Sequence, residues 1–216
     1  MKKTVVIERK GLGHPDTLAD NIAERLAQLL KTEYQKVFGK HMHYNADKVL
    51  LSCGKVDYEK KVMVKPVKIV FSGNATPLNN MNLLLETVIR EVLKREISRG
   101  LTYEIFNHIA ECSPDLTSNF DANKCNDTSF AVGFPLEIEE SLVLELGKFL
   151  EELSDVKDWV GTDYKIMYIN GEIFLANAFI ASDREAYDEY KNMLKALIKD
   201  KFGLDVKINT GDNETN

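Results

Sequence analysis

The most restrictive part of this 216-residue chain is its opening. A short apolar run, Thr4 to Ile7, is followed by Gly11, Gly13 and Pro15 and then by a long amphipathic pattern. Leu18, Ala19, Ile22, Ala23, Leu26, Leu29 and Leu30 recur at steps of three and four, the spacing of one buried helical face. The pattern predicts a helix from Thr17 to about Phe38 that stops at Gly39, with Pro15 suited to the first turn because its missing N–H would have no partner there anyway. The apolar run before it predicts a short buried strand, and the two glycines are read as loosening the backbone between strand and helix.

The same alternation continues along the chain. His41 to Cys53 and Val62 to Phe71 are rich in Val, Leu and Ile and predict paired strands, with KVDYEKK between them as a hairpin loop. Asn80 to Arg99 has helical spacing through Leu84, Val88, Leu93 and Ile97 and is stopped by Gly100, and Tyr103 to Ala110 predicts a strand. After the polar segment Ser113 to Asn126 the series repeats. SFAVGF reads as a strand, Glu137 to Leu153 as a helix, Tyr164 to Ile169 and Glu172 to Ile180 as strands around an Asn170-Gly171 turn, Asp183 to Phe202 as a helix, and Asp205 to Asn209 as a strand. The expected fold is therefore α+β: two consecutive βαββαβ-like modules, residues 1–118 and 119–210, each a mainly antiparallel sheet with helices on one face, then a polar tail, 211–216.

Composition excludes several roles. The net charge is −6 and acids and bases are interspersed, which argues against a nucleic-acid partner and requires any bound phosphate to be held locally. Three cysteines, Cys53, Cys112 and Cys125, form no CxxC pair and read as free thiols in a reducing compartment. The N-terminal apolar run is too short for a signal sequence, and nothing approaches the roughly 18 apolar residues of a membrane span, so the expectation is a cytoplasmic protein with no membrane contact.

Chemistry concentrates first in GLGHPDT. His14 and Asp16 stand two residues apart where a glycine-rich turn enters a helix, a place where backbone N–H groups and the helix dipole attract anions. His14 suits phosphate oxygens, and Asp16 offers a hard oxygen of the kind Mg²⁺ takes. The same residues also read as a helix cap and an exposed loop histidine, and the heptapeptide alone leaves both readings open.

With its flanks included, ERKGLGHPDTLAD (Glu8 to Asp20) resembles the opening signature of the archaeal-type S-adenosylmethionine synthetases. Further segments resemble that family in the same order: MHYNADKVLL from Met42, ECSPDLTSNF from Glu111, NDTSFAVGF from Asn126 and GTDYKIM from Gly161. The resemblance implies a methionine adenosyltransferase, joining ATP to L-methionine with release of the triphosphate as phosphate and diphosphate, with Mg²⁺ and K⁺ as cofactors. By the same resemblance His14 and Lys165 are catalytic groups on the triphosphate, Asp16 is a metal ligand, Glu8 lies against the nucleotide, and Asp115 faces the methionine ammonium. Asn126, Asp127 and Ser129 belong to the substrate-binding set. Without it, Asp115 is a turn residue after Pro114 and Lys165 a solvated strand residue. The family's site lies between two subunits, which implies a homodimer or a hetero-oligomer.

Three departures accompany the resemblance. Family members are close to twice this length, and their later glycine-rich and basic segments have no counterpart after Asp205; SGNAT (Ser72 to Thr76) has Asn74 where arginine is common; and DYEKK stands where a glycine-rich turn is expected. These leave two readings: an enzyme completed by a partner chain, or a non-catalytic nucleotide- or methionine-binding homologue with a regulatory role. A structural partner of a full-length synthetase is a third, weaker one, because His14, Asp16, Asp115 and Lys165 all remain in place.

Overall fold

The structure, a computed structural model, describes residues 4–52, 54–57, 60, 62–97, 101–118, 120, 133–176 and 178–208. The element order is β1 (Val6–Lys10), α1 (Pro15–Phe38), β2 (Tyr44–Ser52), β3 (Lys55–Asp57), β4 (Val62–Lys65), β5 (Val67–Ala75), α2 (Met81–Glu96), β6 (Tyr103–Glu111), α3 (Pro114–Ser118), α4 (Ile138–Val156), β7 (Lys165–Ile169), β8 (Glu172–Ala176), α5 (Arg184–Phe202) and β9 (Val206–Ile208). The fold is α+β with antiparallel pairing predominant, as the sequence pattern requires. The exceptions are the parallel pairs β5–β6 and β8–β9.

The chain forms two compact units, one from Met1–Thr17 with Gly133–Asn216, the other from Leu18–Val132. This partition differs from a division at 118/119, because β1 pairs antiparallel with β7, Val6 opposite Ile169 and Lys10 opposite Lys165. The expected buried strand is in fact half-exposed, with no residue of β1 fully buried and Val6 58% exposed, and its partner was not legible either, since strand pairing is decided by register and packing at long range.

In the Leu18–Val132 unit the sheet order is β2-β5-β6. The α1 positions Leu18, Ile22, Leu26, Leu30 and Tyr34 are buried at four-residue steps. They join Ile69 and Phe71 of β5 and Leu85, Val88 and Ile89 of α2 in one core. Each fully buried side chain of this size contributes about 1.5–3 kcal/mol relative to exposure. The long apolar run after Val62 is two strands, because Pro66 lacks the N–H that continuous pairing needs; β4 forms a separate hairpin with β3. At Gly73, with φ +128°, an added Cβ would lie 2.1 Å from the Asn45 carbonyl oxygen, beside the irregularity between Asn45 and Lys48 in the β2–β5 register. The glycine of SGNAT is thus a packing requirement of this sheet.

In the other unit the sheet order is β1-β7-β8-β9. Val143, Leu146 and Leu150 of α4 and Leu194 and Ile198 of α5 cover one face, packing on Ile166, Ile173, Leu175, Val206 and Ile208. Asn170 (φ 48°) and Gly171 (φ 100°) make the predicted tight turn between β7 and β8. Helix α5 starts at Asp183, whose carboxylate accepts from Ala186 N, and ends at Gly203 in the left-handed conformation (φ 70°).

Of the three thiols, Cys112 is free and buried; Cys53 and Cys125 lie outside the described residues, as do most of SFAVGF and the tail. Among the described residues no helix is long and apolar enough to cross a membrane.

Candidate functional site

The loop from β1 to α1 is held against the segment entering β7. Gly11 N donates to the Tyr164 carbonyl at 2.8 Å and Gly13 N to the Thr162 carbonyl at 3.0 Å, extending the β1–β7 ladder past the strand end. A Cβ on Gly11 would stand 2.2 Å from the Thr162 carbonyl oxygen, and one on Gly13 would stand 2.2 Å from Thr162 Oγ1. These glycines therefore serve close approach and not looseness, which corrects the sequence reading. Four of the N–H groups expected to be open to an anion already have partners. Gly11 N and Gly13 N are bonded as above, His14 N donates to the Gly11 carbonyl at 3.2 Å, and Asp16 N donates to His14 Nδ1 at 3.2 Å.

That last contact assigns the proton of a neutral His14 ring to Nε2, the nitrogen left to donate to a ligand. Around it stand charged groups of both signs. Lys165 Nζ lies 3.3 Å from Glu8 Oε2, Lys10 Nζ lies 3.8 Å from Glu8 Oε1, and Lys10 also bonds the exposed Asp16 carboxylate. The Lys10 hydrogen bond, with its charge, holds the Asp16 carboxyl below its ordinary pKa. Asp163, exposed beside Tyr164, is pushed the other way by desolvation, an effect His14 partly offsets.

Strand alternation explains why these groups meet. Ile7, Ile166 and Tyr168 turn toward α4 and α5, so Glu8, Lys10 and Lys165 fall on the opposite face of the sheet, beside Met167 and Phe174. Of the residues singled out in the sequence, Glu8, His14, Asp16 and Lys165 are thus brought together. Asp115 belongs to the other unit, exposed in the first turn of α3. Asn126, Asp127 and Ser129 lie outside the described residues. Sequence reasoning passed over Lys10 and Asp163, although both sit inside quoted segments, ERKG and GTDY, and the charge flanking each matched residue was the available signal.

Among the described residues no group of three or more His, Cys, Asp or Glu side chains is placed to hold a metal ion. Mg²⁺ is commonly bound through one or two carboxylates with substrate phosphates and water completing its shell, and Asp16, an exposed carboxylate kept ionised by Lys10, fits that lesser role.

The Leu18–Val132 unit has a cleft of about 380 Å³ lined by residues that include Gln35, Lys40, His41, His43, Thr117 and Phe120. His43 Nδ1 lies 3.2 Å from Cys112 Sγ, and burial raises the Cys112 pKa, so the thiol is kept neutral.

Fold and cluster together define an α+β protein with a lysine, histidine and carboxylate array at a strand-to-helix loop. The chain belongs to the S-adenosylmethionine synthetase family, whose model matches residues 1–216. It is 34% identical over 240 residues to the S-adenosylmethionine synthase of Sulfolobus acidocaldarius, covering 95% of this chain and 60% of that protein. It is 33% identical over 256 residues to that of Methanocaldococcus jannaschii, covering 98% of this chain and 62% of the relative. In fold it is similar to an unusual S-adenosylmethionine synthetase from Campylobacter jejuni, with TM-score 0.59 and 16% identity, over 95% of this chain and 57% of that one. The chain thus spans about 60% of the length of the curated relatives it matches.

Proposed function

We propose that this chain carries the triphosphate side of a methionine adenosyltransferase site, at which ATP and L-methionine give S-adenosylmethionine. The observation that supports this best is the assembly of Glu8, Lys10, His14, Asp16 and Lys165 on one loop and one sheet face. In the proposed reaction the methionine sulfur attacks the ribose C5′, the C5′–O bond breaks, and its electron pair leaves with the triphosphate, which is then hydrolysed to phosphate and diphosphate. No protein nucleophile is needed, so catalysis is positioning and charge stabilisation. Lys165 and His14 Nε2–H would face the leaving oxygens, and Glu8 would lie against the nucleoside. Asp16 would hold Mg²⁺, which supplies neutralising charge to the triphosphate when bound. Asp115 would take the methionine ammonium, with Asn126, Asp127 and Ser129 in the same substrate set.

A second reading, a nucleotide- or methionine-binding homologue without turnover, is favoured by the local charge balance. The cluster sets Lys10 and Lys165 against Glu8, Asp16 and Asp163, so a triphosphate needs further positive charge from its metal or from residues beyond this cluster. On either reading the proposed setting is the cytoplasm, and the assembly is a homodimer or a hetero-oligomer.

The test is incubation of the purified protein with ATP, L-methionine, Mg²⁺ and K⁺, with mass spectrometry for S-adenosylmethionine and released phosphates. On the enzyme reading product forms, and His14→Ala or Asp16→Asn lowers the rate by about 10²-fold or more. Omission of K⁺ reads the second cation, and light scattering reads the assembly. ATP or methionine binding without product selects the second reading, and failure of both ligands to bind removes both.

A further inference from the structure

We propose that Tyr164 is the positioning residue of the charged face, holding Glu8, Lys10, His14 and Lys165 in one arrangement through a bond to the partly buried Arg9–Glu151 pair. The proposal deepens the functional reading above and rests on it for its substrate. It starts from strand alternation: Arg9 lies between Glu8 and Lys10 in β1, and Tyr164 directly precedes Lys165, so both side chains pass to the helix side of the sheet. There they meet. Arg9 Nη2 donates to Glu151 Oε1 at 2.9 Å, and the Tyr164 hydroxyl lies 2.9 Å from that same oxygen and 2.9 Å from the Gly147 carbonyl oxygen.

Three features make this more than a core contact. Tyr164 is fully buried, so its hydroxyl has no water to exchange its partners for. Gly147 is shaped around the pair, since a Cβ there would lie 2.1 Å from Arg9 Nε. The ring of Tyr164 occupies the space a Gly11 side chain would need, 2.6 Å from the built Cβ, while its carbonyl accepts from Gly11 N. One residue therefore touches the loop that carries His14 and Asp16, adjoins Lys165, and is tied to the arginine that separates Glu8 from Lys10. A shift of Tyr164 moves Glu8, Lys10, His14 and Lys165 together, and misplacement of binding groups by about 1 Å is costly to catalysis.

The experiment compares the parent chain with Tyr164→Phe, which keeps the ring and removes only the hydroxyl, and with Ile198→Val, which trims the core of the same unit at a residue outside the bonds just described. Two quantities are read: MgATP affinity by calorimetry, and the ¹⁵N and ¹H signals of the His14 ring, assigned with His14→Gln. The expected result is about a tenfold loss of affinity and a moved His14 signal in Tyr164→Phe, the loss being the size of one hydrogen bond, with neither change in Ile198→Val. Affinity within twofold of the parent, an unmoved His14 signal, or equal changes in Ile198→Val overturn the proposal. If the parent itself does not bind MgATP, the functional reading fails and the His14 signal alone decides the positioning role. Should Tyr164→Phe not fold, Glu151→Gln, which leaves the hydroxyl an acceptor but removes the charge opposite Arg9, is held to the same criteria.

Discussion

The two sheets of this protein differ in the faces they turn away from their core helices. On the β1-β7-β8-β9 sheet that face carries Lys10 opposite Lys165, with Glu8 opposite Met167 in the next row. On the β2-β5-β6 sheet the corresponding rows put Leu50 opposite Val70 and Val70 opposite Phe106, and Leu50 is 63% exposed. Both sheets bury the other face with the same kind of core. What separates them is the residue at every second position, so a single periodicity specifies a core on one side and is free to specify chemistry on the other. Charged groups survive on the first face because each has an opposite partner within 4 Å and access to water, conditions under which an ion pair costs little.

That contrast is open to attack, first where the effect is largest. Phe71, fully buried on the helix side of β5, is expected to cost about 3–5 kcal/mol when changed to Ala. Leu50→Ala, on the adjacent strand's outward face, is expected to cost well under about 1 kcal/mol. Urea titrations of both variants check this, and comparable losses would mean that the outward face is covered. Next in size is Gly11→Ala, where a Cβ meets the Thr162 carbonyl oxygen at 2.2 Å and an expected loss of about 1–3 kcal/mol follows from overpacking. Gly133→Ala has nothing within 4 Å of the added carbon and is expected to stay within about 0.5 kcal/mol. If the two glycines respond alike, the loop is not held by close approach.

The smallest effect is electrostatic. The folded-state pKa of Asp16 lies below its ordinary value, chiefly through the Lys10 hydrogen bond. Its contribution is therefore complete above the unfolded carboxyl's pKa of about 3.9 and is lost as pH falls through the lower folded value. Thermal melts between pH 2 and pH 6 are expected to show a shallower acid limb for Asp16→Asn than for the parent. Identical limbs would show that the pair forms no bond of consequence in solution.

Much of the fold was legible residue by residue. The three- and four-step spacing from Leu18 to Leu30 became α1, and Asn170-Gly171 became the β7–β8 turn, because both depend on neighbours in sequence. Pro66 was equally local, and it divided a run that apolar content alone had joined. In the site, GLGHPDT announced His14 and Asp16, and the resemblance added Glu8 and Lys165. Lys10 was missed although its partners Glu8 and Asp16 lie in the same segment, and Asp163 because its link to His14 is made only where the two loops meet.

The sequence by itself determined the alternation of helices and strands, the faces that turn inward, and the family to which ERKGLGHPDTLAD belongs. Only the tertiary structure decided that β1 joins β7, that the glycines of GLGHP are there for close approach, and that Tyr164 meets Arg9 and Glu151 beneath the charged face. The reason is range. Periodicity and turn chemistry act over a few residues, whereas Arg9 and Glu151 are 142 positions apart and are joined by a packing choice that no local pattern encodes.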